Sequence, residues 1–199
     1  MTFTDALKSA VKGMPVLMTG GQPGYRAGEH KLAWYRPDLS GPNGIELQSD
    51  AFEDEGEIPF KYSADGDNIS PPLSWSDVPE RAESLALVVE DPDAPTPQPF
   101  VHWLLYNIPP RQTSLPEHLI PEGFPAADQC YMQGKNSNLK VGWAGMAPPK
   151  GDMPHRYFFQ FFALDSMLPL KAGAGRTALF NAMARHVIAR ARIVGTFQR

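Results

Sequence analysis

Three apolar runs restrict the folds open to this chain more than any other feature. Residues 85–89 read LALVV, residues 100–108 read FVHWLLYNI and residues 157–164 read YFFQFFAL. Each is too short to span a membrane and too apolar for a strand with one wet face, so each describes a strand covered on both sides of a sheet. Around them lie 21 prolines and 17 glycines in 199 residues, which implies many turns and long ordered loops. The expectation is a mainly β protein with minor α, of a length that suits one domain burying roughly 70% of its unfolded surface.

Residues 1–44 read differently from the rest. Leu7, Ala10, Val11 and Met14 follow Thr4-Asp5 at helical spacing, and turn-rich segments at 20–24 and 37–42 flank Trp34 and Tyr35. This region is expected to be an arm packed on the body or on a second subunit, with a homodimer as the corollary. Residues 45–199 form the single domain. There, residues 45–48 alternate as a strand, and residues 53–57 read as a solvated acidic loop. In residues 100–108, alternation puts Val101, Trp103 and Leu105 on one face and His102, Leu104 and Tyr106 on the other. One helix is expected after Thr177, with Phe180, Met183, Ala184, Val187, Ile188 and Ala191 along one face. Arg190 and Arg192 then fall near its C-terminus, His186 on its surface, and residues 193–197 form a last strand.

Bulk properties narrow the function. A net charge of -4 weighs against a general nucleic-acid binder, though not against a phosphate ligand in a pocket. The one cysteine, Cys130, makes no internal disulfide and suits a reducing compartment. No segment has the apolar length of a membrane span, so the reading is soluble and cytoplasmic. No cofactor is expected.

Chemistry concentrates where strands meet loops. Asp91 and Asp93 lie in Asp91-Pro92-Asp93-Ala94-Pro95, a turn stiffened by two prolines and a candidate for a cis Ala94–Pro95 bond. Such a turn aims carboxylates at a cation or hydroxyl; equally, its aspartates can satisfy the turn's own amides. His102 sits on an apolar strand, where a histidine is more often a hydrogen-bonded core residue than a functional one. His155 and Tyr157 open the third apolar run. Upstream, residues 141–151 form a Gly/Pro loop whose amides can nest an anion. Together, His102, His155, Tyr157 and loop amides would donate to an anionic oxygen, while Asp91 or Asp93 accepts from an ammonium or hydroxyl. That set complements a phosphoethanolamine-type head group.

At these motifs the chain resembles the phosphatidylethanolamine-binding protein family, and in particular its bacterial Raf-kinase-inhibitor-like branch. The resemblance rests on NISPPLSW at 68–75, DPDAP at 91–95, VHWL at 101–104, PHRYFF at 154–159 and VGTF at 194–197, in family order from about residue 45 to the end. It implies a large central β-sheet faced by a smaller sheet, with helical segments near the C-terminus. It also implies a pocket for phosphate and other small anions lined by Asp91, Pro92, Asp93, His102, Gly142, Gly145, His155 and Tyr157, and a cis bond at Ala94–Pro95. A protein partner such as a kinase or a protease is implied with it. Two departures stand out. Gly145-Met146-Ala147-Pro148-Pro149 replaces the branch's usual Gly-Pro-Cys-Pro-Pro rim, and residues 1–44 have no counterpart in a typical member, leaving them free to serve as oligomer contact or pocket cover.

The leading reading is a non-catalytic binder of small anions or phospholipid head groups that modulates a protein partner. The alternative is a phosphoester hydrolase in which His102, His155 and one aspartate hold a metal or act as an acid–base pair. A third reading makes the arm, joining subunits, the working part.

Overall fold

A computed structural model describes residues 25–119 and 131–199; the expected helix near Leu7 and the setting of Cys130 lie outside them. The apolar runs become the centre of a five-stranded antiparallel sheet: β3 (Ser84–Asp91), β4 (Phe100–Ile108), β6 (Met132–Gln133), β7 (His155–Leu164) and β8 (Val187–Phe197), in the order β6-β4-β3-β7-β8. A smaller sheet orders β1 (Glu46–Gln48), β2 (Leu73–Ser76) and β5 (Ser114–Leu115) as β1-β2-β5. One short helix, α1 (Arg176–Met183), follows β7.

Period-two alternation divides the large sheet's side chains between two cores. Leu87, Val89, Phe159 and Phe161 face the small sheet, where they join Leu47, Leu73 and Trp75; the Trp75 and Phe161 rings lie 4.5 Å apart. Ala86, Val88, Leu104 and Phe162 face the other way and are covered by Leu179, Phe180 and Met183 of α1 and by Ala33 and Leu39. Residues 29–39 run over this face as three 3-10 turns. The Ala33 amide donates to buried Glu90 at 2.9 Å, and the Trp34 amide to Gln160 at 2.7 Å.

The helix ends at Met183, short of its expected reach, and Val187 begins a strand. Val187, Ile188 and Ala191 fit the helical period, but a register slip opposite Ala163 and Leu164 puts Val187 in one core and Ile188, Ala189 and Ala191 in the other; from Ala189 onward burial alternates strictly, and the β-branched residues there favour a pleated surface. Arg185, at φ 69, makes the intervening turn, and His186 lies there beside Asp165 at 2.9 Å rather than on a helix. Arg190 and Arg192 therefore stand side by side on a strand, with guanidinium carbons 4.0 and 5.0 Å from the Trp34 ring centre.

Other expectations change for local reasons. The acidic loop at 53–57 covers the free edge of β8: Val194 and Thr196 amides donate to Asp54 Oδ1 and Gly56 O at 2.7 and 2.8 Å. No described peptide bond is cis, Ala94–Pro95 included. The turn closes instead through Asp91 Oδ1, which accepts the amides of Asp93 and Ala94 at 2.7 and 3.0 Å. Finally, the β3–β4 register slips between Val89 opposite Trp103 and Glu90 opposite Val101. His102 is the extra residue of this β-bulge, and it leaves the face of Leu104 and Tyr106.

Candidate functional site

Asp91 is the last residue of β3, on the face of Leu87 and Val89, while Glu90 points into the opposite core. His155 begins β7, and two residues on Tyr157 shares its face. The bulge brings His102 to that same side, its ring 5.0 Å from that of Tyr157 and 6.1 Å from Trp143. All four are nearly sealed: Asp91, His102, His155 and Tyr157 are 4%, 3%, 1% and 0% exposed.

Each polar group in this cluster has a definable state. Asp91 Oδ2 lies 2.8 Å from His155 Nδ1, so the aspartate that closes its own turn with one oxygen orients an imidazole with the other. Burial opposes charge on His155, but the Asp91 carboxylate outweighs it, and Asp152 adds to the effect, so the histidine is held above its ordinary value. The carboxylates on its two sides thus favour the protonated ring, which donates from both nitrogens. His102 Nδ1 bonds the Ala144 carbonyl, which can only accept, so Nδ1 carries the proton. Burial pushes His102 down and outweighs the nearby Asp91 charge, leaving a neutral ring whose Nε2 is an acceptor. Burial, with Asp91 and Asp93 nearby, pushes the Tyr157 phenol strongly up, so it stays protonated. That hydroxyl is buried and meets no hydrogen-bond partner among the described residues. A buried donor in this condition is free to pair with a polar group from outside the chain.

The remaining expected residues play different geometric parts. Pro92 lies in the turn, its carbonyl taking the Gly28 amide at 2.9 Å. Asp93 faces away from the cluster: Arg156 grips both its oxygens at 2.9 Å, and the Arg156 amide donates at 3.0 Å. Although burial works against its charge, Arg156 holds the Asp93 carboxyl below the usual range. The loop amides are also engaged, those of Gly142, Ala144 and Gly145 donating to Gly134 O, His102 O and Asn68 Oδ1. They form no anion nest. Gly145 matters for space, since a Cβ there would lie 2.5 Å from Ala64 N and 2.6 Å from Asn68 Oδ1. Gly142 adopts φ 94, a conformation that favours glycine.

Two residues that the motif reading passed over complete the arrangement. Asp152 sends Oδ2 to 3.5 Å from His155 Nε2, and its Oδ1 receives Arg26 at 2.6 Å and the Met153 amide at 2.8 Å. Arg26, then the Met153 amide, hold its carboxyl below the usual range. Asp152 stands three residues before His155 and is legible in the sequence as its neighbour; nothing local marks Arg26. Among the described residues, no three His, Cys, Asp or Glu side chains are grouped to hold a metal ion, and no helix is long and apolar enough to cross a membrane.

A family model described as phosphatidylethanolamine-binding protein matches residues 48–198. The UPF0098 protein of Methanothermobacter thermautotrophicus is 44% identical over 155 residues, which cover 78% of this chain and 99% of that protein. A crystal structure of a putative phosphatidylethanolamine-binding protein homolog, CT736 of Chlamydia trachomatis, aligns with TM-score 0.70 at 39% identity, covering 79% of this chain and 99% of that one. The crystal structure of YbcL of E. coli, described as a new member of the mammalian PEBP family, aligns with TM-score 0.73 at 30% identity over 78% of this chain and 99% of its own.

Proposed function

Because the chain belongs to the phosphatidylethanolamine-binding protein family, we propose that the cluster of Asp91, His102, His155 and Tyr157 receives the phosphate of a small anionic ligand, of which a phosphoethanolamine-type head group is one example. The observation that carries this reading is the buried Tyr157 hydroxyl with no partner among the described residues, on the same strand face as a histidine whose Nδ1 meets Asp91 at 2.8 Å. Phosphate chemistry suits the set. His155 Nε2–H and the Tyr157 hydroxyl donate to anionic oxygens, and neutral His102 Nε2 accepts from a protonated one, so the monoanion of a phosphate ester satisfies all three. Pro92, Gly142 and Gly145 shape the walls, and Asp93 fixes the turn through Arg156. The function is binding, with the ligand left chemically intact.

Titration of inorganic phosphate and O-phosphoethanolamine, followed by NMR of the full chain, tests this. Wild type is expected to bind with modest affinity. His155→Ala should lose at least about tenfold, as removal of a charge-assisted donor does, and Tyr157→Phe a smaller factor. Equal shifts in all three proteins would place the anion elsewhere. Release of phosphate from phosphoethanolamine that stops with His155→Ala would replace the binding reading with the hydrolase.

A further inference from the structure

The family match begins at residue 48, yet a residue well before it reaches the mouth of the cluster. Arg26 Nη2 lies 2.6 Å from Asp152 Oδ1, and the same carboxylate's other oxygen lies 3.5 Å from His155 Nε2. Arg26 is not loosely placed. The next two residues are tied to the Asp91 turn, Ala27 N to Ala94 O at 3.0 Å and Gly28 N to Pro92 O at 2.9 Å. Glu29 then accepts from Arg156 at 2.8 Å, the guanidinium that holds Asp93. Gly28 takes φ 98 to make this path. The arm is thus fastened to the very turn that aims Asp91, at Pro92 and Ala94 on either side of Asp93 and on Asp93's partner.

What Asp152 does there is chemically specific. One carboxylate bridges a guanidinium and an imidazole, which is how a phosphate oxygen pair would be held by the same two groups. Asp152 is tethered by the Met153 amide at 2.8 Å, and its carbonyl takes Gln198 Nε2 at 2.7 Å. Its side chain and that of Arg26 keep 23% and 28% of their surface exposed, whereas the cluster beneath is sealed. The pair thus stands between solvent and His155, which is itself 1% exposed.

We propose that Arg26 is a specificity-determining residue of the anion site, supplied by the N-terminal arm, and that Asp152 is an internal carboxylate which competes with the ligand's phosphate for Arg26 and His155. The inference rests on the binding reading above. An incoming phosphate dianion or monoester displaces Asp152, exchanging one carboxylate for a ligand that keeps both cations paired. A neutral ligand cannot make that exchange.

The test is a mutant cycle on the full chain with inorganic phosphate as probe, each protein first checked for native near-UV circular dichroism. Asp152→Asn removes the competitor and should tighten phosphate about tenfold, since a like charge beside the anion is lost. Adding Arg26→Gln to Asp152→Asn should return most of that gain, about five- to tenfold. If Asp152→Asn is no tighter than wild type, Asp152 does not compete and the proposal fails. If Arg26→Gln is silent in the Asp152→Asn background, Arg26 serves only as a partner for Asp152 and its role in recognition is overturned. His155→Ala separates the levels. Loss of binding with His155→Ala, alongside silent Asp152 and Arg26 variants, sinks the arm's role alone. Indifference to His155→Ala sinks the site itself.

Discussion

At Asp91 a single side chain does two jobs, of which its motif suggested one. One oxygen satisfies the turn's amides, as expected of such a turn, and the other orients His155, where the expectation was acceptance from a ligand's ammonium or hydroxyl. The two histidines nearby are tuned in opposite directions, and their linkage to stability has opposite signs. His155 is raised when folded, so the stabilisation from its pair with Asp91 is fully present below the ordinary imidazole value of about 6.5 and is lost as pH rises through the folded value. His102 is lowered, so the folded state resists its protonation and stability declines as pH falls below about 6.5. An NMR titration of the imidazoles should place His155 above and His102 below that value, with Asp91→Asn bringing His155 back down. Phosphate affinity should decline as pH rises through the His155 transition; a flat profile across it would contradict a charged donor.

Elements set these residues in place by interruptions as much as by regularity. Alternation along β3 and β7 accounts for Asp91, His155 and Tyr157, but the bulge in β4 is what turns His102 toward them. The bulge is supported from the loop after it, where the Ala144 amide donates to His102 O at 2.9 Å and the Ala144 carbonyl takes His102 Nδ1. Gly145 lets that loop approach residues 63 and 64, and the atoms a Cβ would meet are largely backbone. Gly145→Ala is therefore expected to destabilise by about 1–3 kcal/mol, the usual cost of overpacking. It should also weaken phosphate binding by shifting Ala144 and with it His102. Urea denaturation and the phosphate titration together check this; an unchanged midpoint would mean that the loop yields freely.

For the whole molecule, residues 26–39 behave as a layer of the fold. Leu32, Ala33 and Leu39 are fully buried, and the Ala33 amide, with Gln160 and Arg176, satisfies the Glu90 carboxylate inside the sheet. Leu39→Ala should cost about 2–5 kcal/mol by cavity formation, far above a surface substitution, measurable as a lowered melting temperature. A cost near zero would make the segment a loose attachment.

Which of these features the sequence determined follows from the range of the forces involved. The strands, their two-sided burial and the shared face of His155 and Tyr157 follow from local apolar pattern and the period of the pleat, and the clustered motifs carried the family. Other features depended on partners far along the chain: Arg26 on Asp152, 126 residues away, and Arg156 on Asp93, 63 away. Val187, Ile188 and Ala191 stand at helical spacing, and pairing with β7 chose the strand. Local geometry fixes what a segment can be. Only the packed chain, by satisfying every buried charge and donor it can reach, decides which loop amides are engaged, which aspartate turns away and which arginine arrives at the mouth of the site.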